Sequence, residues 1–412
     1  MIKELRKSFA ESPGLGVVKK DFRSLGLKPI YSLVDLIVFT LVWVDRLISP
    51  LRVSRTGYAN PRVRNMVGVL GYSSHSYYLS VPNIHKWLKD KSDLFPMVLQ
   101  VQTINRCNGA CGFCPHPYTI HLQERRTMDD TLFTKIMDEC AAEKDLHDFV
   151  PMSKNEPLLD TKMEQRVAEF KSKAQSHQMV ELVTNGSTLT PARAQRLMDA
   201  GVDLITVSVN ASNEETYNKV MIGLSWKQVM NNIEALSKAE LSKVNVYLRF
   251  VSERKNRKEL NGFRQRWKDF NLFMFDVNNR AGAVRDYESK VMKHNDFFAR
   301  LMRVGGSRVY PVCPYVFSIA HVLENGDVPM CSNDWHNREV MGNVRTQTIR
   351  EIYNSPRMNE VRELMRQGKC EEIDACRECS FYHDWMKSPL APSRSDWQSD
   401  LREVDEVPLT PI

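Results

Sequence analysis

From about residue 96 the chain adopts a regular rhythm in which short apolar or β-branched runs alternate with longer amphipathic ones. The short runs are 97–104 (MVLQVQTI), 147–152 (HDFVPM), 179–184 (MVELVT), 203–209 (DLITVSV), 244–251 (VNVYLRFV) and 272–277 (LFMFDV). Helical periodicity falls between them, near 129–143, 160–176, 190–200, 226–240 and 256–269. Strands separated by helices of ten or more residues must run parallel, because each crossover returns the chain to its starting edge. Six such units predict an α/β fold, a partial (β/α)6 parallel barrel rather than a closed eightfold one. Chemistry in such folds collects at the C-terminal ends of the strands.

The rhythm divides the chain. Residues 1–95 read as a mainly helical N-terminal region, 96–300 as the α/β core, 301–386 as a small α+β extension dense in cysteine, and 387–412 as a flexible tail with four prolines. Within the first region, residues 30–48 (IYSLVDLIVFTLVWVDRLI) are the most apolar stretch, but Asp35 and Asp45 leave only nine uncharged residues between them. That is well short of the ~20 needed to cross a bilayer. A helix packed on the following domain is the simpler expectation. The alternative is a peripheral membrane contact, with Lys19, Lys20, Arg23, Lys28, Arg46, Arg52 and Arg55 around it. The opening MIKELRKSFAES lacks the features of a secretory signal, so a cytoplasmic location is expected.

Composition narrows the function classes. With 42% hydrophobic and 26% charged residues, the chain is neither disordered nor fibrous. The net charge of +7 is mild for 412 residues, and no basic or aromatic module suggests a nucleic-acid partner. Nine cysteines are odd in number and clustered, which favours metal chemistry in a reducing compartment over disulfides.

The first cluster is Cys107-Asn-Gly-Ala-Cys111-Gly-Phe-Cys114, in the loop after the first strand. Soft thiolates select iron–sulfur clusters, zinc or Cu(I). Structural zinc takes four ligands, usually as two separated pairs; His116 is the candidate fourth ligand in that rival reading. Three ligands from one loop leave one iron of a [4Fe–4S] cube without a protein ligand, an open position suited to catalysis. This spacing resembles the radical SAM superfamily, over roughly residues 95–380. The resemblance implies that Cys107, Cys111 and Cys114 hold a [4Fe–4S] cluster whose fourth iron is chelated by S-adenosylmethionine (SAM). It implies that reductive cleavage of SAM yields a 5′-deoxyadenosyl radical, and that Phe113 lies near the adenine.

Other family positions are matched one by one. Lys154-Asn155-Glu156-Pro157 resembles the Gly-Gly-Glu-Pro turn that meets the SAM amino group. Glu156 and Pro157 agree, both glycines are absent, and Asn155 is expected to keep the turn through a left-handed backbone. Asn185, in Thr184-Asn185-Gly186, follows the third strand. Ser208 and Asn210 suit the ribose hydroxyls, and Arg249 suits the SAM carboxylate. For polar strand-end residues of this kind, loop capping is the competing role.

Cys313, Cys331, Cys376 and Cys379 form a second group, C-x17-C-x44-C-x2-C. Asn325-Gly326 predicts a two-residue hairpin that brings Cys313 and Cys331 together. A helix over 347–367 would then return Cys376 and Cys379 to the same place. This layout resembles the SPASM/twitch extension of radical SAM enzymes, in the short form with one fully ligated auxiliary [4Fe–4S] cluster. A structural zinc ribbon is the rival by spacing alone. Cys370 is a fifth thiol nearby, a further candidate ligand or a bystander, and Cys140 reads as a buried small hydrophobe.

The resemblance implies a radical SAM oxidoreductase-type enzyme that removes a substrate hydrogen and oxidises a small polar substrate such as a sugar, cyclitol or alcohol. A flavodoxin or ferredoxin would supply electrons. The alternatives are a SPASM-type maturase of a ribosomally made peptide and a non-catalytic electron-transfer or scaffold protein. Tyr118, His121, Asn278, Arg280 and Asp334 are candidates to face the substrate. Of these, Arg280 is the candidate base or anion clamp, against the surface salt bridge that is the commoner fate of an arginine.

Overall fold

The computed structural model describes Trp87 and residues 93–120, 124–238, 245–268, 270–290, 313 and 315–380. The stretch 30–48, His121 and the tail from 387 lie outside the described residues.

Seven parallel strands form one sheet, in the spatial order β6-β5-β4-β3-β2-β1-β7. They are β1 (Val98–Val101), β2 (Asp148–Val150), β3 (Met179–Thr184), β4 (Leu204–Ser208), β5 (Asn245–Ser252), β6 (Asn271–Asp276) and β7 (Ile319–Val322). The first six are neighbours in chain order, as a partial (β/α)6 barrel requires. The helices between them are α1 (Asp130–Ala141), α2 (Met163–Lys173), α3 (Pro191–Ala200), α4 (Glu214–Val220), α5 (Trp226–Lys238) and α6 (Leu260–Arg266). Their starts carry local instructions: Asp129 accepts from Leu132 N at α1, and Thr190 accepts from Arg193 N just before Pro191 at α3. Gly201, at φ +108°, ends α3 in the left-handed conformation that a side chain would resist.

The sheet has two unlike faces, because alternate residues of a strand point to opposite sides. Leu99, Phe149, Val180, Leu182, Ile205, Val207, Leu248 and Phe250 pack outward into the main core under the helices. Phe149 is fully buried, 6.2 Å from the ring of Phe133 and 4.6 Å from that of Phe170. The other face holds a small apolar patch of Val98, Val150, Val183 and Ile319. Polar residues share that inner side: Glu181, Thr206 and Ser208 on β3 and β4, and Arg249 beside Ser208 on β5.

The C-terminal segment departs from expectation in two ways. Asn325-Gly326 does form a turn, with Gly326 at φ +95° and Leu323 N donating to Asp327 O at 2.8 Å. Its arms, however, do not make a free hairpin. All four residues of the first arm are buried, and it joins the core sheet as β7, paired in parallel with β1. The second arm, β8 (Asp327–Pro329), pairs antiparallel with β9 (Val340–Asn343). The helix expected over 347–367 is split into α7 (Ile349–Tyr353) and α8 (Pro356–Arg366). Pro356 has no N–H to continue α7, and Ser355 caps the new start by accepting from Met358 N. Trp87 packs on this region, its indole N–H donating to Asn359 Oδ1 at 2.8 Å and its ring edge-on to Phe317. Among the described residues no helix is long and apolar enough to cross a membrane.

Phe149→Ala would leave a cavity between sheet and helices, so it should cost about 3–5 kcal/mol. A denaturant midpoint within error of the parent protein would contradict this packing.

Candidate functional site

The loops after the strands converge at one end of the sheet. The loop of Cys107, Cys111 and Cys114 is pinned there on both sides. Ala110 N donates to Ile222 O at 2.8 Å and Gly112 N to Val220 O at 3.0 Å, fastening it to the turn after α4. Asn108 bridges to the loop after β3, donating to Ser187 Oγ at 2.9 Å and accepting from Asn185 Nδ2 at 2.8 Å. Gly109 leaves room for Leu224, whose side chain would lie 3.2 Å from an added Cβ.

Burial pushes the Cys107 thiol up to about 12, with Glu156 and Cys114 adding to it and the Gly109 N–H, 3.4 Å from the sulfur, opposing. Cys111 is pushed well up by burial and by Cys114 and Cys107. Burial also raises Cys114, opposed by the His116 backbone N–H and the charge of Arg280. Thiols crowded so closely resist ionising alone and fit an electrophilic centre that binds them as thiolates with release of protons. His116 is itself buried, at the start of the short turn that follows Cys114, and burial lowers its pKa against a hydrogen bond with the Asn105 backbone.

Glu156 sits at the centre of the strand-end loops, 2% exposed. Oε1 accepts from Thr184 Oγ1 at 2.6 Å and Leu158 N at 3.1 Å, and Oε2 accepts from Asn185 N at 2.7 Å. Its own N–H donates to Arg106 O at 2.9 Å, tying β2's loop to the cysteine loop. Three protein donors thus fix the carboxylate and the turn it stands in, and one of its lone-pair positions stays unused by them. Burial raises its pKa in spite of these three donors.

Asn155 departs from its expected backbone, and three other candidates are engaged in hydrogen bonds within the protein. Asn155 is not among the described residues with positive φ; its Oδ1 instead accepts from Ser153 N at 3.0 Å, which shapes the turn through a side chain. Asn210 does take a left-handed backbone, at φ +61°, but it is buried. Its Oδ1 accepts from Val251 N at 2.7 Å and its Nδ2 lies 3.0 Å from Met221 Sδ, so the amide braces the loop after β4. Met221 Sδ in turn lies 3.6 Å from Cys111 Sγ. Asp334 is wholly buried and held by Arg338 and the Glu339 N–H, which removes it from a substrate surface. Asn185 is also enlisted in loop bonds, as above, with Oδ1 accepting from Ser187 N at 2.9 Å. Ser208 and Arg249, by contrast, are half-buried register partners on the inner face, the guanidinium lying 4.5 Å from the centre of the Phe275 ring. Phe113 is half-buried against the core, and Tyr118 lies under the Arg285 guanidinium at 4.1 Å.

Cys313, Cys331, Cys376 and Cys379 line one cavity, with Asn333 and Asp334 in its wall. Burial pushes Cys331 up to about 12, and Cys313 and Cys376 well up. Cys370 is buried close enough to raise Cys313 and Cys376, but the cavity lining does not include it. Four thiols lining one cavity are a donor set that fits a polynuclear cluster with a thiolate at each corner.

The two cysteine groups are joined by polar side chains whose long-range partners the sequence does not show. Lys154, the residue that departs most from the glycine turn, is 5% exposed. Its Nζ donates to Asp334 O and Asn337 Oδ1, each at 2.6 Å, so it reaches from the first site's turn into the loop after Cys331. Burial lowers its pKa to about 8. Gln102 links the same parts, accepting from Lys154 N at 3.0 Å and donating to Glu324 Oε2 at 2.7 Å. Arg280 Nη1 donates to Asn333 Oδ1 at 2.9 Å while its charge acts on Cys114.

The family model of the radical SAM superfamily matches residues 101–262, and that of the SPASM iron–sulfur cluster-binding domain matches residues 313–380. The chain belongs to the radical SAM superfamily. A radical SAM domain implies a [4Fe–4S] cluster that works with SAM, and a SPASM domain implies auxiliary iron–sulfur chemistry. Among curated relatives, the chain is 22% identical over 295 residues to the SAM-dependent 2-deoxy-scyllo-inosamine dehydrogenase of Niallia circulans, covering 70% of this chain and 93% of that one. It is 20% identical over 318 residues to the tungsten-containing aldehyde ferredoxin oxidoreductase cofactor-modifying protein of Pyrococcus furiosus, covering 69% and 87%. Of solved structures, Streptococcus suis SuiB bound to the precursor peptide SuiA aligns with a TM-score of 0.54 at 12% identity, over 79% of this chain and 81% of that one. Native anSMEcpe with bound AdoMet aligns at 0.51 and 17%, over 76% and 97%. These likenesses establish the radical SAM fold.

Glu156→Ala would strand three donors, Thr184 Oγ1, Asn185 N and Leu158 N. The radical SAM core should lose about 1–3 kcal/mol for each donor left buried without an acceptor. Equilibrium unfolding of the two proteins measures it, and equal midpoints would show that the carboxylate is not the brace described.

Proposed function

We propose that this chain is a radical SAM oxidoreductase that oxidises a small polar substrate of the sugar, cyclitol or alcohol class, with an auxiliary [4Fe–4S] cluster beside the first. Cys107, Cys111 and Cys114 would hold the SAM cluster, and Cys313, Cys331, Cys376 and Cys379 the auxiliary one. When bound, the first cluster and SAM supply a 5′-deoxyadenosyl radical that removes a substrate hydrogen atom.

The observation that carries the oxidative reading is the short connection between the two sites. One guanidinium, Arg280, acts on Cys114 and donates to Asn333, which lines the cavity of the second cysteine group. A substrate held near Arg280 would lie between an oxidant for hydrogen and an acceptor for the remaining electron. Arg280 also presents a fixed positive charge that favours loss of a proton from a substrate hydroxyl. Four thiolates leave no open iron for substrate, so the second cluster serves electron transfer. The name of the Niallia circulans relative, an inosamine dehydrogenase, supports the polyol class.

The chain's remaining groups bind and orient. The inner face would receive SAM: Arg249 would pair with its carboxylate, Ser208 would reach the ribose, Phe113 would lie against the adenine, and the turn of Asn155 and Glu156 would meet its amino group. A flavodoxin- or ferredoxin-class donor would reduce the first cluster.

Anaerobically reconstituted protein should hold about eight irons and eight sulfides per chain, and replacing Cys107, Cys111 and Cys114 together by Ala should halve both and abolish SAM cleavage. Four irons with zinc in the second site would overturn the auxiliary-cluster assignment. For the reaction itself, Cys331→Ala should still release 5′-deoxyadenosine from a responsive polyol while the oxidised product disappears. Turnover with peptides but with no polyol would place the enzyme among peptide maturases instead.

A further inference from the structure

We propose that Asn333, oriented by Arg280, donates a side-chain N–H to the auxiliary cluster, and that the pair raises this cluster's reduction potential. The inference rests on the two-cluster reading above and adds a residue that the cysteine pattern does not contain.

Asn333 is 2% exposed and stands in the cavity wall with Cys313, Cys331, Cys376 and Cys379. A guanidinium has only donors, so the atom of Asn333 that meets Arg280 Nη1 at 2.9 Å must be the carbonyl oxygen. That choice leaves Nδ2 as the polar atom available to the cavity. It is buried with no hydrogen-bond partner among the described residues, and a buried amide donor without an acceptor calls for an explanation. The backbone N–H of the same residue already points to sulfur, 3.4 Å from Cys331 Sγ. Asn333 thus brings one donor to a cysteine sulfur and a second, unpartnered donor to the same thiol-lined cavity.

Arg280 is held for this contact with unusual firmness. Arg280 and Ala281 have successive positive φ values of 49° and 54°, a conformation that residues with a side chain keep only where surroundings over-determine it. They do so here. Asn279 and Ser380 exchange two hydrogen bonds of 2.8 Å, and Arg338 Nη2 donates to Ala281 O at 2.8 Å. Hydrogen bonds to cluster sulfur stabilise the reduced, more negative state and so raise the potential.

The test is an EPR-monitored redox titration of the fully reconstituted, full-length chain with SAM added. The signal that SAM perturbs belongs to the first cluster and the unperturbed one to the second. Asn333→Leu removes the amide without adding charge, and should shift the second signal to lower potential while leaving the first in place. Arg280→Leu should shift it the same way, and Arg280→Lys, which keeps a donor for the oxygen, should restore it. An unchanged second potential in Asn333→Leu with eight irons bound would overturn the proposal. Should Asn333→Leu fail to load the second cluster, the parent protein decides. Asparagine labelled with 15N only in the side chain should give a hyperfine coupling on the reduced second cluster, and absence of that coupling refutes the donor. Four irons in the parent protein would instead sink the two-cluster reading itself.

Discussion

A single buried carboxylate organises the active end of the sheet. Glu156 gathers donors from the turn after β2 and from the loop after β3, while its backbone is tied to the cysteine loop after β1. Strand ends are where a parallel sheet stops satisfying its own backbone, so an acceptor placed there can order several loops together. A buried carboxylate suits the task because it accepts at both oxygens and its bonds to N–H and O–H groups are charge-assisted. Its cost is desolvation, and the three donors are the compensation without which the charge would not be tolerated.

The second constraint is that the two cysteine groups cannot move independently. The C-terminal segment contributes a strand to the core sheet, so its cavity is registered against β1 through main-chain bonds. Buried polar side chains add to the same connection. Lys154 spans from the first site's turn to the loop after Cys331, and Gln102 ties that turn to Glu324 at the end of β7. For electron transfer between a substrate and a second cluster, a fixed separation matters more than any one contact. This protein obtains it by building the extension into the sheet rather than appending it.

The departures from the familiar turn then become intelligible. Glycines at such a turn let the backbone approach a ligand closely. Here Asn155 shapes the turn with its side chain, and Lys154 uses its length to reach the neighbouring loop. Lys154 is buried and its charge lies against a carbonyl oxygen and an amide oxygen, which are donors' natural partners and carry no full charge.

The sequence by itself determined the six-strand order, the helices between them other than the short α4, and both cysteine groups. These depend on periodicity and on spacing within short stretches, and local geometry follows from them directly. The helix break at Pro356 was not legible in the stretch 347–367, because the apolar periodicity continues through the proline that interrupts the backbone bonds. What only the tertiary structure decided was the destination of side chains whose partners lie far away in the chain. Ile319–Val322 reads as a hairpin arm, yet it becomes the seventh core strand because an apolar strand buried on both faces is better accommodated at the edge of β1 than beside a short β8. Asn210 and Asp334 read as site residues, yet their polar atoms are taken up by the Val251, Arg338 and Glu339 donors. Lys154 and Asn333 showed the reverse. A lone lysine or asparagine carries no local signal of function, because a hydrogen bond across 180 residues, as from Lys154 to Asp334, is specified by the fold and not by the neighbours in sequence.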